Sequence, residues 1–160
     1  MANLNVNLGG DTSPNESLMV MGLAYLSTPG LMTIATGGTF EKIFEGAMAY
    51  SDEHLTNLTQ ADGRLTYTGT PDVHVTIVCN INVKSGENAQ VIQFRIAVNG
   101  TTVAGTNMTR DFTATNRNSC LSMSWVEILS TGDYVEVFGT SDTNGDEFTV
   151  NNLILTVVRH

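Results

Sequence analysis

The sequence predicts an all-β protein, an antiparallel β-sandwich, and three observations carry that expectation. From Leu65 to Val158, short runs of alternating apolar and polar residues follow one another with little between them. Turn-forming groups, Asn99-Gly100, Ser130-Thr131-Gly132-Asp133 and Thr143-Asn144-Gly145-Asp146, punctuate those runs. The surface must be built largely from Thr, Ser, Asn and Gly, because 41% of the chain is hydrophobic and only 14% is charged. At 160 residues, that apolar content suffices for one core, giving one domain preceded by an arm.

Residues 1–17, MANLNVNLGGDTSPNES, are small and polar and show no periodic apolar face, so they are read as an arm and 18–160 as the folded domain. The Met-rich stretch Leu18 to Gly38 is broken by Gly22 and by Pro29-Gly30; residues 18–26 can be read as a helix, but a pair of strands around the Pro-Gly turn fits better. Residues 39–62 stay open, because Phe40, Ile43, Phe44 and Met48 fit a short helix while a strand and loop fit equally.

From Gly63 onward the alternation is firm. Val73, Val75, Ile77, Cys79, Ile81 and Val83 share one parity and are expected to line one buried face. The next strand buries Ile92, Phe94, Ile96 and Val98, and Asn99-Gly100 supplies the positive-φ pair that a tight hairpin needs. Leu121, Met123 and Trp125 share a parity that Val126 and Ile128 abandon, which implies a β-bulge near Trp125 or a strand that changes packing partner. The two remaining turns are read as hairpins into DYVEVFG and into FTVNNLILTVVR.

Several function classes are set aside by the same residues. Sixteen acidic against seven basic side chains give a net charge of −9 with no basic stripe, so no nucleic-acid partner is expected. The start carries no cationic leader segment and the apolar run Leu18–Leu26 is shorter than the ~20 residues a spanning helix needs, so the expectation is synthesis in the cytoplasm and no membrane partner. Cys79 and Cys120, without CxxC spacing or a histidine cluster, are read as free thiols. His54, His74 and His160 lack metal-site spacing and are read as surface residues. The oxygen-rich run Asp142 to Glu147 has ligands at alternate positions but no downstream bidentate Glu, so it is read as a plain turn. No GxSxG elbow, no Cys beside a His and no carboxylate pair in an apolar setting appears, so neither an enzyme nor a cofactor is expected. Sequons begin at Asn15, Asn57, Asn99 and Asn107, a frequency that chance explains in so Asn- and Thr-rich a chain.

In order, GRLTYTGTPDVHVTIVCNINV, VIQFRIAVNGTTVAG, LSMSWVEILSTGDYVEVFGTS and NNLILTVV resemble the C1q and tumour-necrosis-factor-like jelly roll, over about residues 63–159. Two departures are Val98, where that family has a lysine before Asn-Gly, and the opening turn Thr70-Pro71-Asp72, which lacks the family's aromatic pair. The Thr- and Asn-rich texture and polar arm further resemble the small jelly-roll structural proteins of tailed bacteriophages. The resemblance implies a homotrimeric capsid decoration (cement) protein on the virion surface, with the major capsid protein as its partner and Asn3, Asn5 and Asn7 in the attaching arm. The alternative is a trimeric tail-fibre or spike module whose loops, Thr106 to Asn118 and Thr140 to Glu147, contact a host-surface glycan with Phe112 as their one aromatic.

A separate physical argument points to assembly. Open sandwiches leave unpaired strand edges, and a chain with only Lys42 and Lys84 as lysines has little charge to blunt them. Met19, Met21, Leu23, Tyr25, Met32 and Ile34 are therefore candidates either for a trimer seam or for the domain's own core.

Overall fold

The computed structural model describes residues 19–26, 28–43, 50–53 and 55–160, and among them the only helical element is one 3-10 turn, Ala104–Thr106. Its strands are β1 (Met19–Leu26), β2 (Gly30–Thr33), β3 (Glu41–Lys42), β4 (Tyr50–Glu53), β5 (Leu58–Ala61), β6 (Arg64–Tyr67), β7 (Val73–Ser85), β8 (Gln90–Val98), β9 (Thr101–Thr102), β10 (Met108–Phe112), β11 (Asn118–Leu129), β12 (Tyr134–Ser141) and β13 (Glu147–Arg159). They form two antiparallel sheets. The front sheet runs β11-β7-β13-β1-β4 with β2 on β13, and the back sheet runs β10-β8-β12-β6-β5 with β3 on β12 and β9 on β8.

Alternation makes the core. Val73, Val75, Ile77, Cys79, Ile81 and Val83 are all buried on the inner face of β7, while Ile92, Phe94 and Ile96 answer from β8 across the sandwich. Val98, expected with them, is only half-buried because it abuts the turn. That turn is as read: Asn99 and Gly100 have φ of 51° and 75°, and Val98 pairs with Thr101. Just beyond it, Thr106 is buried with both hydroxyl roles filled, accepting from the Ile96 N–H at 2.9 Å and donating to the Val103 carbonyl at 2.8 Å.

Two expectations are corrected. No bulge occurs near Trp125, since β11 keeps one register against β7 from Asn118 opposite Lys84 to Leu129 opposite Val73. Val126 and Ile128 break the apolar parity because they point out of the sandwich. The Ser130–Asp133 and Thr143–Asp146 turns close no hairpins: β11 lies in the front sheet, β12 in the back and β13 in the front again, so each turn carries the chain from one sheet to the other. The β7–β8 connection crosses too, passing so near β13 that a Cβ at Gly86 would lie 2.2 Å from the Glu147 carbonyl oxygen. Finally, the open region 39–62 contains the strands β3, β4 and β5, and residues 44–49 lie outside those described.

Candidate functional site

The front sheet has an inner face in the core and an outer face with an unusual composition. Register brings Val126, Thr76 and Val158 side by side; the next rows are Ser124, Val78, Thr156 and Leu23, then Ser122, Asn80, Ile154 and Tyr25. None of these positions carries an Asp, Glu, Lys or Arg, in a chain with 16 acidic and 7 basic residues; charge returns at the margins, with Glu53 of β4 paired to Leu23 and Lys84 in the row of Asn118, Thr149 and Leu31. The well-exposed large hydrophobics among the described residues, Leu31 (60%), Val126 (62%), Ile128 (49%) and Ile154 (36%), all lie by register on this side. Depletion of charge and exposure of apolar side chains on one surface mark a contact face.

The face is not uniform. Beyond Ser122 it becomes polar: Asn151 Nδ2 donates to Asn82 Oδ1 at 3.0 Å and to Asn118 Oδ1 at 2.9 Å, and Asn82 Nδ2 donates to the Cys120 sulfur at 3.3 Å. At the opposite end, His74 of β7 and His160, just past the end of β13, are brought together, with the His160 N–H on the His74 carbonyl at 3.1 Å and its ring within 2.5 Å of Thr76 Oγ1. Both histidines are exposed; His54 lies outside the described residues. The outer margin is β11, a 12-residue edge strand whose single charge is Glu127, itself engaged by the Trp125 indole N–H at 3.1 Å.

The structure divides the candidates for the trimer seam. Met21, Met32 and Ile34 are buried and belong to the domain's own core. Leu23 and Tyr25 are half-buried on the outer face beside Thr156 and Ile154. Met19 pairs with Arg159 through its backbone, and Asn3, Asn5 and Asn7 lie outside the described residues. Sequence reasoning missed Val126, Ile128 and Ile154, although the parity break at Val126 was the visible sign of them.

The loops offer less chemistry. Phe112 is 4% exposed and packs in the core, so the 106–118 region presents no aromatic. In the 142–147 turn Asn144 Oδ1 accepts the Gly37 N–H at 2.6 Å, Asp142 accepts from Gln93, and Asp146 accepts from the Ser141 hydroxyl, so its oxygens serve the turn and its neighbours. Among the described residues no group of three or more His, Cys, Asp or Glu could hold a metal ion. Cys79 and Cys120 are both free, Cys79 in the core and Cys120 on the surface.

The two antiparallel sheets form a β-sandwich of the jelly-roll kind. The structure of Eiger TNF from S. frugiperda superposes with a TM-score of 0.57 over 89% of this chain and 92% of that one, at 10% sequence identity. The PRD1 vertex protein P5 superposes with a TM-score of 0.47 over 88% of this chain and 96% of that one, also at 10% identity. No protein-family model matches the sequence, and no curated protein matches it.

Proposed function

We propose that this chain is a non-enzymatic virion structural protein, a phage capsid decoration protein that forms homotrimers on the head and braces capsomers of the major capsid protein. One observation carries the assembly part: the stretch of the front sheet's outer face over β11, β7, β13 and β1 whose rows hold no charged residue, with Val126, Ile128 and Ile154 exposed on it. Fully burying a side chain of that size contributes about 1.5–3 kcal/mol, so a handful of them can hold copies together. The occupant we assign is a further copy of the same chain, and the resemblance to the C1q and tumour-necrosis-factor-like family supports three copies around one axis. A closed ring uses the face and the neighbouring β11 edge on every subunit without leaving either free. A trimer that touches several capsomers at once gains avidity and resists their separation.

The reading of a receptor-binding tip loses the loop aromatic it relied on, because Phe112 is in the core. Light scattering on the purified chain at micromolar concentration is expected to give three times 17.2 kDa. A mass of one chain removes the trimer. Antibody labelling of the parent particle, imaged by electron microscopy, is expected to decorate heads; labels at the tail tip would favour the receptor binder, and unlabelled intact particles would end the virion assignment.

A further inference from the structure

The front sheet ends on β11, and two hydrogen bonds tell which way the backbone groups of that strand point. The Ser85 N–H at the end of β7 donates to the Arg117 carbonyl at 3.0 Å, whereas the Ile128 N–H turns away from β7 and donates to Glu127 Oε1 at 3.1 Å. In an antiparallel ladder the N–H and C=O of one residue point the same way and successive residues alternate. The even-numbered residues of β11 therefore face out of the sheet. Glu127 closes the lower end of this edge, since its other oxygen holds the Trp125 indole N–H. From Asn118 to Val126 the outward N–H and C=O groups have no partner among the described residues, a ladder open along most of the strand.

The chain carries a strand to offer it. Residues 1–18 precede β1 and lie outside those described. As a whole they have no apolar periodicity, but their opening, MANLNVNL, sets Leu4, Val6 and Leu8 at every second position with Asn3, Asn5 and Asn7 between. We propose that residues 2–8 of one copy add as an antiparallel strand to the β11 edge of a second copy. Centred on the open stretch, Asn5 lies opposite Ser122, and both sides of the strand then match. Asn3, Asn5 and Asn7 meet Ser124, Ser122 and Cys120 on the outer side, while Leu4 and Val6 meet the buried Met123 and Leu121 on the inner side. The same chain's arm fits poorly. Met19 is level, through Arg159 and Val75, with Glu127 at the lower end of β11. Four strand spacings across and eight residues up the sheet put Leu8 about 33 Å from Met19, which leaves the segment between them, Pro14 included, close to its full stretch of about 36–40 Å. Parallel addition would relieve that, but every ladder among the described strands is antiparallel. An arm from a neighbour is under no such constraint. The inference rests on the assembly proposed above and names what the β11 edge receives in it.

Cys120 is exposed and Cys79 is in the core, so Cys120 serves as a built-in reporter on the edge. The full chain carrying Asn7→Cys, its mass first measured by light scattering, is mildly oxidised and run on a non-reducing gel. A disulfide to Cys120 of another copy is expected, giving bands of two and three chains, because directly opposed Cα atoms in such a pair lie about 5.5 Å apart, within disulfide reach. Adding Cys120→Ser is expected to abolish those bands, and Val6→Cys and Leu8→Cys, on the other side of the strand, are expected to give none. Amide exchange at Ser122 and Ser124 is expected to be slow in the parent and about tenfold faster in Asn5→Pro, which lacks the donor aimed at Ser122, with Ile81 on β7 unchanged. The proposal is overturned when Cys at none of positions 3, 5 and 7 cross-links to Cys120, when cross-linking ignores parity, when the disulfide stays within one chain, or when Ser122 and Ser124 already exchange fast in the parent. Any of those results at a three-chain mass removes the arm and leaves the trimer; a one-chain mass for the parent removes the trimer and the exchange of arms with it.

Discussion

The ring of Phe148, near the start of β13, meets the ring of Phe94 on β8 edge-on, with centroids 5.7 Å apart and planes at 87°. The two belong to opposite sheets and both are fully buried, so the contact joins the halves of the sandwich. Phe148→Ala is expected to cost about 3–5 kcal/mol, from lost transfer energy plus the cavity left behind. Phe148→Leu, which keeps most of the volume, is expected to cost much less. Urea unfolding would read this as a lower midpoint at unchanged slope; a midpoint that does not move for Phe148→Ala contradicts the packing described.

The outer face can be broken without touching the core. The double variant Val126→Asp, Ile128→Asp places two charges where both side chains are exposed in the single chain. Its circular dichroism is expected to match the parent while its mass in light scattering falls to that of one chain. Thr109→Asp, exposed on β10 of the other sheet, is expected to change neither. If the double variant keeps the parent's mass, the copies meet through some other surface.

Thr106 supports a finer prediction. Its hydroxyl is the acceptor for the Ile96 N–H deep in β8. Thr106→Val keeps the shape and removes that acceptor, so about 1–3 kcal/mol should be lost. Hydrogen exchange at the Ile96 amide should quicken more than at its strand neighbours, and Thr106→Ser should restore it.

Burial pushes the Cys79 thiol far above its ordinary range by disfavouring the thiolate. The unfolded chain ionises this thiol near its ordinary pKa of about 8.5, while the folded chain cannot. Stability should therefore be insensitive to Cys79 below that pH and fall as pH rises beyond it. Cys79→Ala should flatten this alkaline slope while lowering stability at neutral pH through the smaller side chain. Alkylation of Cys79 should proceed only as fast as the protein unfolds; rapid labelling of the native chain would show the thiol to be reachable.

Much of the fold was legible because period-two patterns are local. Six residues of β7 alternate without a break, and Asn99-Gly100 has few conformations to choose from. Which sheet a strand joins is not local: Ser-Thr-Gly-Asp looks the same whether the next strand folds back beside its predecessor or crosses the sandwich. The seam candidates show a second limit. Met21 and Leu23 share a parity in sequence, yet a register slip between Val20 and Gly22 puts Met21 in the core and Leu23 outside. The outer face itself defeats the usual inference, since parity locates the core only while the other side is polar.

The place of β13 sets the order in which the molecule can come into being. It is the latest strand in chain order, yet it occupies the middle of the front sheet, with β7 on one side and β1 and β2 on the other. A growing chain that has every residue through Asp146 still has that sheet in two unjoined pieces, with β2 lacking its ladder partner. Nothing on the ribosome can complete the sandwich before β13 emerges, and closure then joins β1 and β2 to β7 through it. A prematurely terminated chain would lack the central plank of the surface on which copies are proposed to meet, so incomplete products would be kept out of the assembly.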